Sequence, residues 1–390
     1  MGKARMRGIP RTVAEVDAPY IEGLLRRWKH DPSMSVKSFE IEEEPFRFPK
    51  FGDKKFIRFR ISVDCAAGNA ALSLVLRQLP KEDIASITTK DFMHRELQAV
   101  KSGLLSDLHC GFYIPYIEAI ERPELEQRWI WMDDVTEDVK RLGAVEVLSD
   151  QRLRTVLGHA AAFHALNWER KEHLAYPWLL TLRTLTESSF LTLSELLSGA
   201  KELSEMTKYK LRMRPWFKDG LMSFWPSVDG TARKYLEQVV NDPGPFFERR
   251  EALPHTIVHG DFDQRNMGIH EGSDGEMTTV LDWELIGRGH SSEDIGLLLA
   301  YNKPENSDEL VDYYLGCLEQ QLHRQVDRDE WRVGYDLLTI HYFLTRGIIF
   351  GLMAKAGLAS VPEEMRDQFV ARAYSDADKI ARVCKRVFAM

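Results

Sequence analysis

Hydrophobic and polar positions divide the chain into a strand-rich first third and a helical remainder. From Phe56 to Val63 the pattern alternates. Ile57, Phe59, Ile61 and Val63 share one face, and Arg58, Arg60 and Ser62 the other. Ala67-Gly68-Asn69 is a turn signal. Leu72, Leu74 and Leu76 then alternate with Ser73, Val75 and Arg77, and Gln78-Leu79-Pro80 ends the run, since proline cannot donate to a ladder. An antiparallel hairpin follows, with an earlier strand inside Val36–Phe46 and a loop over Phe48–Lys55. Met93, Leu97, Val100 and Leu104 stand at helical spacing, with Thr88 or Thr89 available as a cap and Gly103 near the end. The apolar run Trp129–Met132 stops at Asp133-Asp134, which marks a domain boundary.

Beyond it, Leu153, Val156, Leu157, Ala160 and Phe163 mark a helix. Tyr176–Glu248 is rich in Leu, Trp and Phe and is broken by Pro177, Pro215, Pro226 and Pro243; after Glu293 the spacing is helical. A pair of short strands interrupts the helices, Thr256–Val258 and Met277–Leu281, and each delivers an aspartate just past its end.

Composition narrows the class. The 390 residues carry 52 Lys+Arg against 60 Asp+Glu, a net charge of −8, so a nucleic-acid partner is not expected. Four dispersed cysteines (Cys65, Cys110, Cys317, Cys384) have no Cys-x-x-Cys spacing and suit a reducing compartment. The basic residues Lys3, Arg5, Arg7 and Arg11 precede no apolar run, and Met6 stands where a myristoylation signal wants Ser or Thr. The apolar stretches Ile295–Tyr301 and Ile348–Met353 are too short to span a bilayer. The expectation is a cytoplasmic protein without membrane association.

The chemistry sits in His259-Gly260-Asp261-Phe-Asp-Gln-Arg-Asn266 and Leu281-Asp282-Trp283-Glu284. Asp261 and Asn266 are five apart, the spacing of a kinase catalytic loop. A hydroxyl that accepts a phosphoryl group needs a carboxylate to orient it and take its proton, a role for Asp261. Mg²⁺ is a hard ion that takes oxygen ligands, which Asn266 and Asp282 supply while phosphates and waters complete the shell.

These motifs resemble the aminoglycoside phosphotransferase/choline kinase-like family, whose loop is His-Gly-Asp-x-x-x-x-Asn followed by Asp-Trp/Phe-Glu. Gly287…Gly289…Glu293-Asp294-Ile295 is similar to a downstream family segment in which the aspartate is structural. Leu74–Pro80 resembles the family's third strand, with Arg77 where lysine is usual, and Glu96 then resembles the helix glutamate that pairs with that cation. Trp129–Val135 is similar to the hinge whose backbone holds adenine, which brings in Trp131, Met132 and Asp133 beside Val75. Phe163-His164 resembles a helix-ending pair. The likeness runs from about residue 36 to 300 in order. It departs at the nucleotide loop, where Gly52 stands alone, and at Arg77, whose fork grips phosphate bidentately where lysine acts as a point charge.

The resemblance implies an α+β, bilobal, protein-kinase-like fold. The N-lobe is residues 1–134, an antiparallel sheet with one helix. The C-lobe is 135–390, mostly helical, with the nucleotide expected between the two. It also implies ATP, with GTP open, and Mg²⁺ as cofactors. Asp294 follows Asp282 by only twelve residues, and no Ala-Pro-Glu intervenes, so a protein-kinase activation segment does not fit. A small-molecule hydroxyl is the expected acceptor: an antibiotic such as an aminoglycoside, an amino-alcohol, a sugar or a natural-product intermediate. A pseudokinase that binds nucleotide or a partner without transfer is the other reading. His259 is expected to buttress the loop. Asp263 and Arg265 face substrate or support the loop; Glu284 orients metal or acceptor, or ties the loop. His164 and the aromatics Trp168, Trp178, Trp216, Phe217, Phe224 and Trp225 read as core, although the resemblance puts the family's acceptor site in this aromatic region.

Overall fold

The structure is a computed structural model that describes residues 9–44, 55–79, 93–106, 110–142, 147–213, 215–272, 275–347 and 380–387. Gly52 with most of its loop, Pro80, Thr88, Thr89 and the stretch Ile348–Met353 lie outside them. The chain forms two compact units, 1–163 with 261–286, and 164–260 with 287–390. The boundary expected after Asp134 falls inside the first.

The first unit is built on a five-stranded antiparallel sheet. Its strands are β1 (Ser35–Glu44), β2 (Lys55–Cys65), β3 (Gly68–Gln78), β5 (Tyr116–Arg122) and β6 (Gln127–Asp133), in the order β1-β2-β3-β6-β5. Cys65 pairs with Gly68, so Ala66 and Ala67 form the hairpin turn, and Gly68 takes φ 109°, where a side chain would be strained.

One face is the alternating set read from the sequence. Ile57, Phe59, Ile61, Val63, Leu74 and Leu76 are buried together with Trp129 and Trp131. Helix α1 (Ala18–Trp28), which the motif-led reading passes over, closes this core with Ile21, Leu24 and Leu25. Its start is legible: Asp17 accepts a hydrogen bond from the Tyr20 amide at 2.9 Å, and Pro19 lies in the first turn.

The opposite face carries Arg58, Val75, Arg77, Ile130 and Met132. Arg58, expected on a polar face, is buried because its Nε donates to Asp134 Oδ2 at 2.7 Å and its Nη2 to Thr136 Oγ1 at 3.0 Å. Helix α2 (Arg95–Lys101) covers this face, with Leu97 packed on Ile130 and Met132. It is shorter than the Met93–Leu104 spacing suggests. His94 takes a left-handed φ of 45°, Met93 is exposed, and Leu104 follows Gly103, whose φ is 74°.

A second, three-stranded sheet has the order β4-β9-β8, from β4 (Phe112–Tyr113), β8 (Met267–Gly272) and β9 (Gly275–Val280). Helix α3 (Thr136–Leu142) lies so close to β8 that a Cβ on Gly268 would be 2.7 Å from the Asp138 carbonyl carbon. Helix α4 (Asp150–Asn167) then leads out of this unit.

The second unit is mostly helical. Its core gathers Phe190, Leu193, Phe217, Leu221, Phe224, Trp225, Leu236, Phe247, Leu337 and Ile340 with Ile380 and Val383. The two short strands near the aspartates do not pair with each other. β7 (Thr256–Val258) pairs with β10 (Gly287–Gly289), whereas β9 pairs with β8 and β4. The chain is α+β. Among the described residues no helix is long and apolar enough to cross a membrane, and all four cysteines are free.

Candidate active site

The loop before Asp261 is fixed inside the second unit. The amides of His259 and Gly260 donate to Asp294 at 2.8 and 3.0 Å. His164 Nε2 lies 3.2 Å from the same carboxylate and its Nδ1 is 2.8 Å from the Tyr314 hydroxyl. His164 is thus a core residue that helps hold the loop's acceptor, and Asp294 has the structural part the resemblance gives it. Gly260 takes φ 80°, a conformation open to glycine.

The first unit carries the rest. Asp263 is fully buried, accepts from the Arg265 amide at 2.9 Å and forms an ion pair with the Arg265 guanidinium. It caps the short turn Gln264–Asn266. That turn presents Asn266, whose Nδ2 donates to the Asp261 carbonyl at 2.8 Å and to Asp261 Oδ2 at 3.1 Å. With the nitrogen so committed, Oδ1 is the atom Asn266 offers to a cation. Asp263 therefore supports the loop, and half of the Arg265 side chain stays exposed.

Two aromatic neighbours pin the carboxylates. Phe262 follows Asp261 and Trp283 follows Asp282, and both are buried. Phe112 lies 5.8 Å from Phe262 and 5.3 Å from Phe163, which in turn lies 5.5 Å from Trp283. One aromatic cluster thus anchors both strand-to-loop junctions. The Leu281 amide donates to the Asn266 carbonyl at 2.9 Å, which ties the junctions together. Glu284 is buried in the turn after Asp282.

Asp282 has φ 61° and ψ 56°, a left-handed conformation that costs a non-glycine residue about 1–2 kcal/mol. Its surroundings hold it there. Arg77 Nη2 donates to Asp282 Oδ1 at 2.8 Å, and Arg77 Nη1 donates to Glu96 Oε1 at 2.5 Å. Arg77 and Glu96 are both buried. Burial opposes the guanidinium charge, but Glu96 and Asp282 outweigh it and raise the Arg77 pKa above its ordinary value. The Asp282 amide donates to the Tyr116 hydroxyl at 3.1 Å, and that hydroxyl donates to Glu96 Oε1. Sequence reasoning missed Tyr116. Its signal is faint, because β5 shifts register between Tyr116 and Glu118 and so breaks the alternation.

Val75 pairs directly with Met132, and Arg77 with Ile130, so Val75, Arg77 and Met132 share one face. The Trp131 side chain lies on the other face, 4.9 Å from the Phe59 ring. Trp131 can therefore meet a ligand on the Arg77 face only through its backbone. Asp133 ends β6; its amide donates to the Pro115 carbonyl at 2.8 Å, and its carboxylate accepts from the Tyr113 hydroxyl.

Among the described residues no three His, Cys, Asp or Glu side chains cluster as a metal cage. Mg²⁺ needs no such cage, because it is bound through one or two carboxylates with phosphates and waters. The donor set of Asn266 and Asp282 fits that requirement.

A sheet with a helix-borne glutamate bonded to a strand arginine, followed by an Asp-x4-Asn loop and a further aspartate, defines a protein-kinase-like small-molecule phosphotransferase. The phosphotransferase enzyme family model matches residues 65–327, and the chain belongs to that family. No curated protein matches it. Among solved structures it is similar to choline kinase from Cryptosporidium parvum Iowa II, at 11% identity over 96% of this chain and 97% of that one, with a TM-score of 0.48. It is also similar to the GDP complex of wild-type aminoglycoside 2'-phosphotransferase-IIIa (13%, 93% and 99%, TM-score 0.42). A third is the microcompartment-associated aminopropanol kinase (12%, 95% and 98%, TM-score 0.42).

Proposed function

We propose that this protein transfers the γ-phosphoryl group of Mg-ATP to a hydroxyl of a small molecule. The observation that supports it most is the bonded set within one unit: Asn266 on Asp261, and Arg77 on both Glu96 and Asp282. Asp261 orients the acceptor hydroxyl and takes its proton. Asn266 Oδ1 and the Asp282 carboxylate hold Mg²⁺, which neutralises phosphate charge when bound.

Arg77, braced by Glu96, aligns the phosphates. Its Nε has no hydrogen-bond partner among the described residues although it is buried. Such a donor is costly to leave unmet, and a phosphate oxygen would satisfy it. Val75 and Met132 line the base on the Arg77 face, with the backbone of Trp131 and Asp133 at the strand end. A backbone-read base admits GTP as well as ATP. His259, Asp263 and Arg265 hold the loop, and Glu284 steadies the metal side.

On this reading residues 1–134 form the nucleotide-binding lobe, and 135–390 carry the loop, the metal ligands and the acceptor elements. The four free cysteines suit a cytoplasmic setting.

The test is incubation with γ-labelled ATP, Mg²⁺ and a panel of aminoglycosides, amino-alcohols, sugars and cell extracts. Label is expected in a small molecule, whose mass identifies the acceptor. Tight Mg-ATP binding without transfer to any fraction contradicts the proposal and favours a nucleotide-binding pseudokinase.

A further inference from the structure

Arg77, Glu96, Tyr116 and Asp282 close a hydrogen-bonded ring. Arg77 Nη1 bonds Glu96 Oε1, which accepts from the Tyr116 hydroxyl; that oxygen accepts from the Asp282 amide; and Asp282 Oδ1 accepts from Arg77 Nη2. Three members carry the charges that the phosphotransferase reading needs. The fourth is a neutral phenol at the start of β5. A phenol both donates and accepts, and this position requires both.

We infer that Tyr116 is a positioning residue that sets Asp282 for Mg²⁺ by joining its backbone to Glu96. This rests on the phosphotransferase reading.

Three observations carry it. Asp282 is left-handed at φ 61°, a strained state that persists only when its surroundings over-determine it. Its amide is fixed by Tyr116 and its carboxylate by Arg77, so backbone and side chain are held from two directions. The same Glu96 oxygen serves Arg77 and Tyr116, so a change at either is felt at the other. Tyr116 lines a pocket of about 320 Å³ with Val100, Lys101 and Leu105. Phenylalanine would keep that packing and lose only the hydroxyl.

The experiment compares wild type and Tyr116→Phe for binding of a non-hydrolysable ATP analogue across a Mg²⁺ titration, beside their thermal unfolding. The variant should need about tenfold more Mg²⁺ for half-maximal binding, the size of one lost charge-assisted hydrogen bond. Its affinity for the analogue without Mg²⁺ should stay within about twofold, since ring packing is retained. A merely structural tyrosine would lower the unfolding temperature and leave the Mg²⁺ dependence unchanged, and that result overturns the inference. Wild type that binds no Mg-nucleotide instead defeats the phosphotransferase reading itself, and this inference with it. Should the variant not fold, hydrogen exchange in wild type decides. The Asp282 amide should be protected from solvent, and rapid exchange there overturns the link to Tyr116.

Discussion

Arg77 and Asp282, 205 positions apart in the chain, meet through a 2.8 Å hydrogen bond from guanidinium to carboxylate. The bond joins a strand of the five-stranded sheet to the turn that follows β9. Glu96 holds the other side of the same guanidinium. Glu96 cannot lose Arg77 without consequence, because a buried charge left without its partner is expensive.

Arg77→Ala should therefore cost stability as well as nucleotide binding. About 3–5 kcal/mol is expected from the uncompensated Glu96. Urea unfolding would measure it, and a loss below about 1 kcal/mol would mean that water reaches Glu96 freely.

Asp294 accepts the amides of His259 and Gly260, the two residues before Asp261. Asp294→Ala leaves two amides unmet, and at least about 2 kcal/mol of stability should be lost. The amide of His259 should become exchangeable, as hydrogen exchange would report.

Gly268 lies against the backbone of Asp138 and Val139, at 2.7 and 2.8 Å from where a Cβ would stand. Gly268→Ala should destabilise the protein by about 1–3 kcal/mol, because backbone cannot yield as a flexible side chain does. Thermal unfolding checks this, and an unchanged midpoint would show that α3 shifts without cost.

Asp134 gives a pH prediction. Burial opposes its ionisation, but hydrogen bonds from Thr136, Ser73 and Arg58 outweigh it and lower its pKa below the ordinary carboxylate value. A lowered acid contributes stability above its unfolded pKa and loses it as pH falls through the folded one. Asp134→Asn should thus be less stable than wild type at neutral pH, and the gap should narrow below about pH 4. A gap that stays constant down to pH 2 would contradict the assignment.

Much of the sheet and loop was legible because period-two alternation survives wherever one face is buried. Ile57 to Val63 and Leu72 to Leu76 show it, and the Asp261/Asn266/Asp282 spacing needs only sequence distance. Tyr116 was not legible, since the register shift beside it breaks alternation and its partners lie far away in sequence. β10 was hidden because Gly287-Arg-Gly289 carries no apolar residue to reveal a strand. The face of Arg58 was legible but its burial was not, because an alternating polar position does not show whether Asp134 will come to meet it. Helix α2 was overextended because Met93 and Leu104 fit the period, although His94 and Gly103 break the backbone.

The most direct measurement of the central claim is a single-turnover comparison of wild type and Asp261→Asn with the acceptor found by labelling. Asparagine keeps the shape and cannot take the proton. Mg-ATP should bind both proteins within a few-fold, while the transfer step should slow by about a hundred- to ten-thousand-fold in the variant. Equal transfer rates in the two proteins would contradict the role assigned to Asp261 and the mechanism built on it.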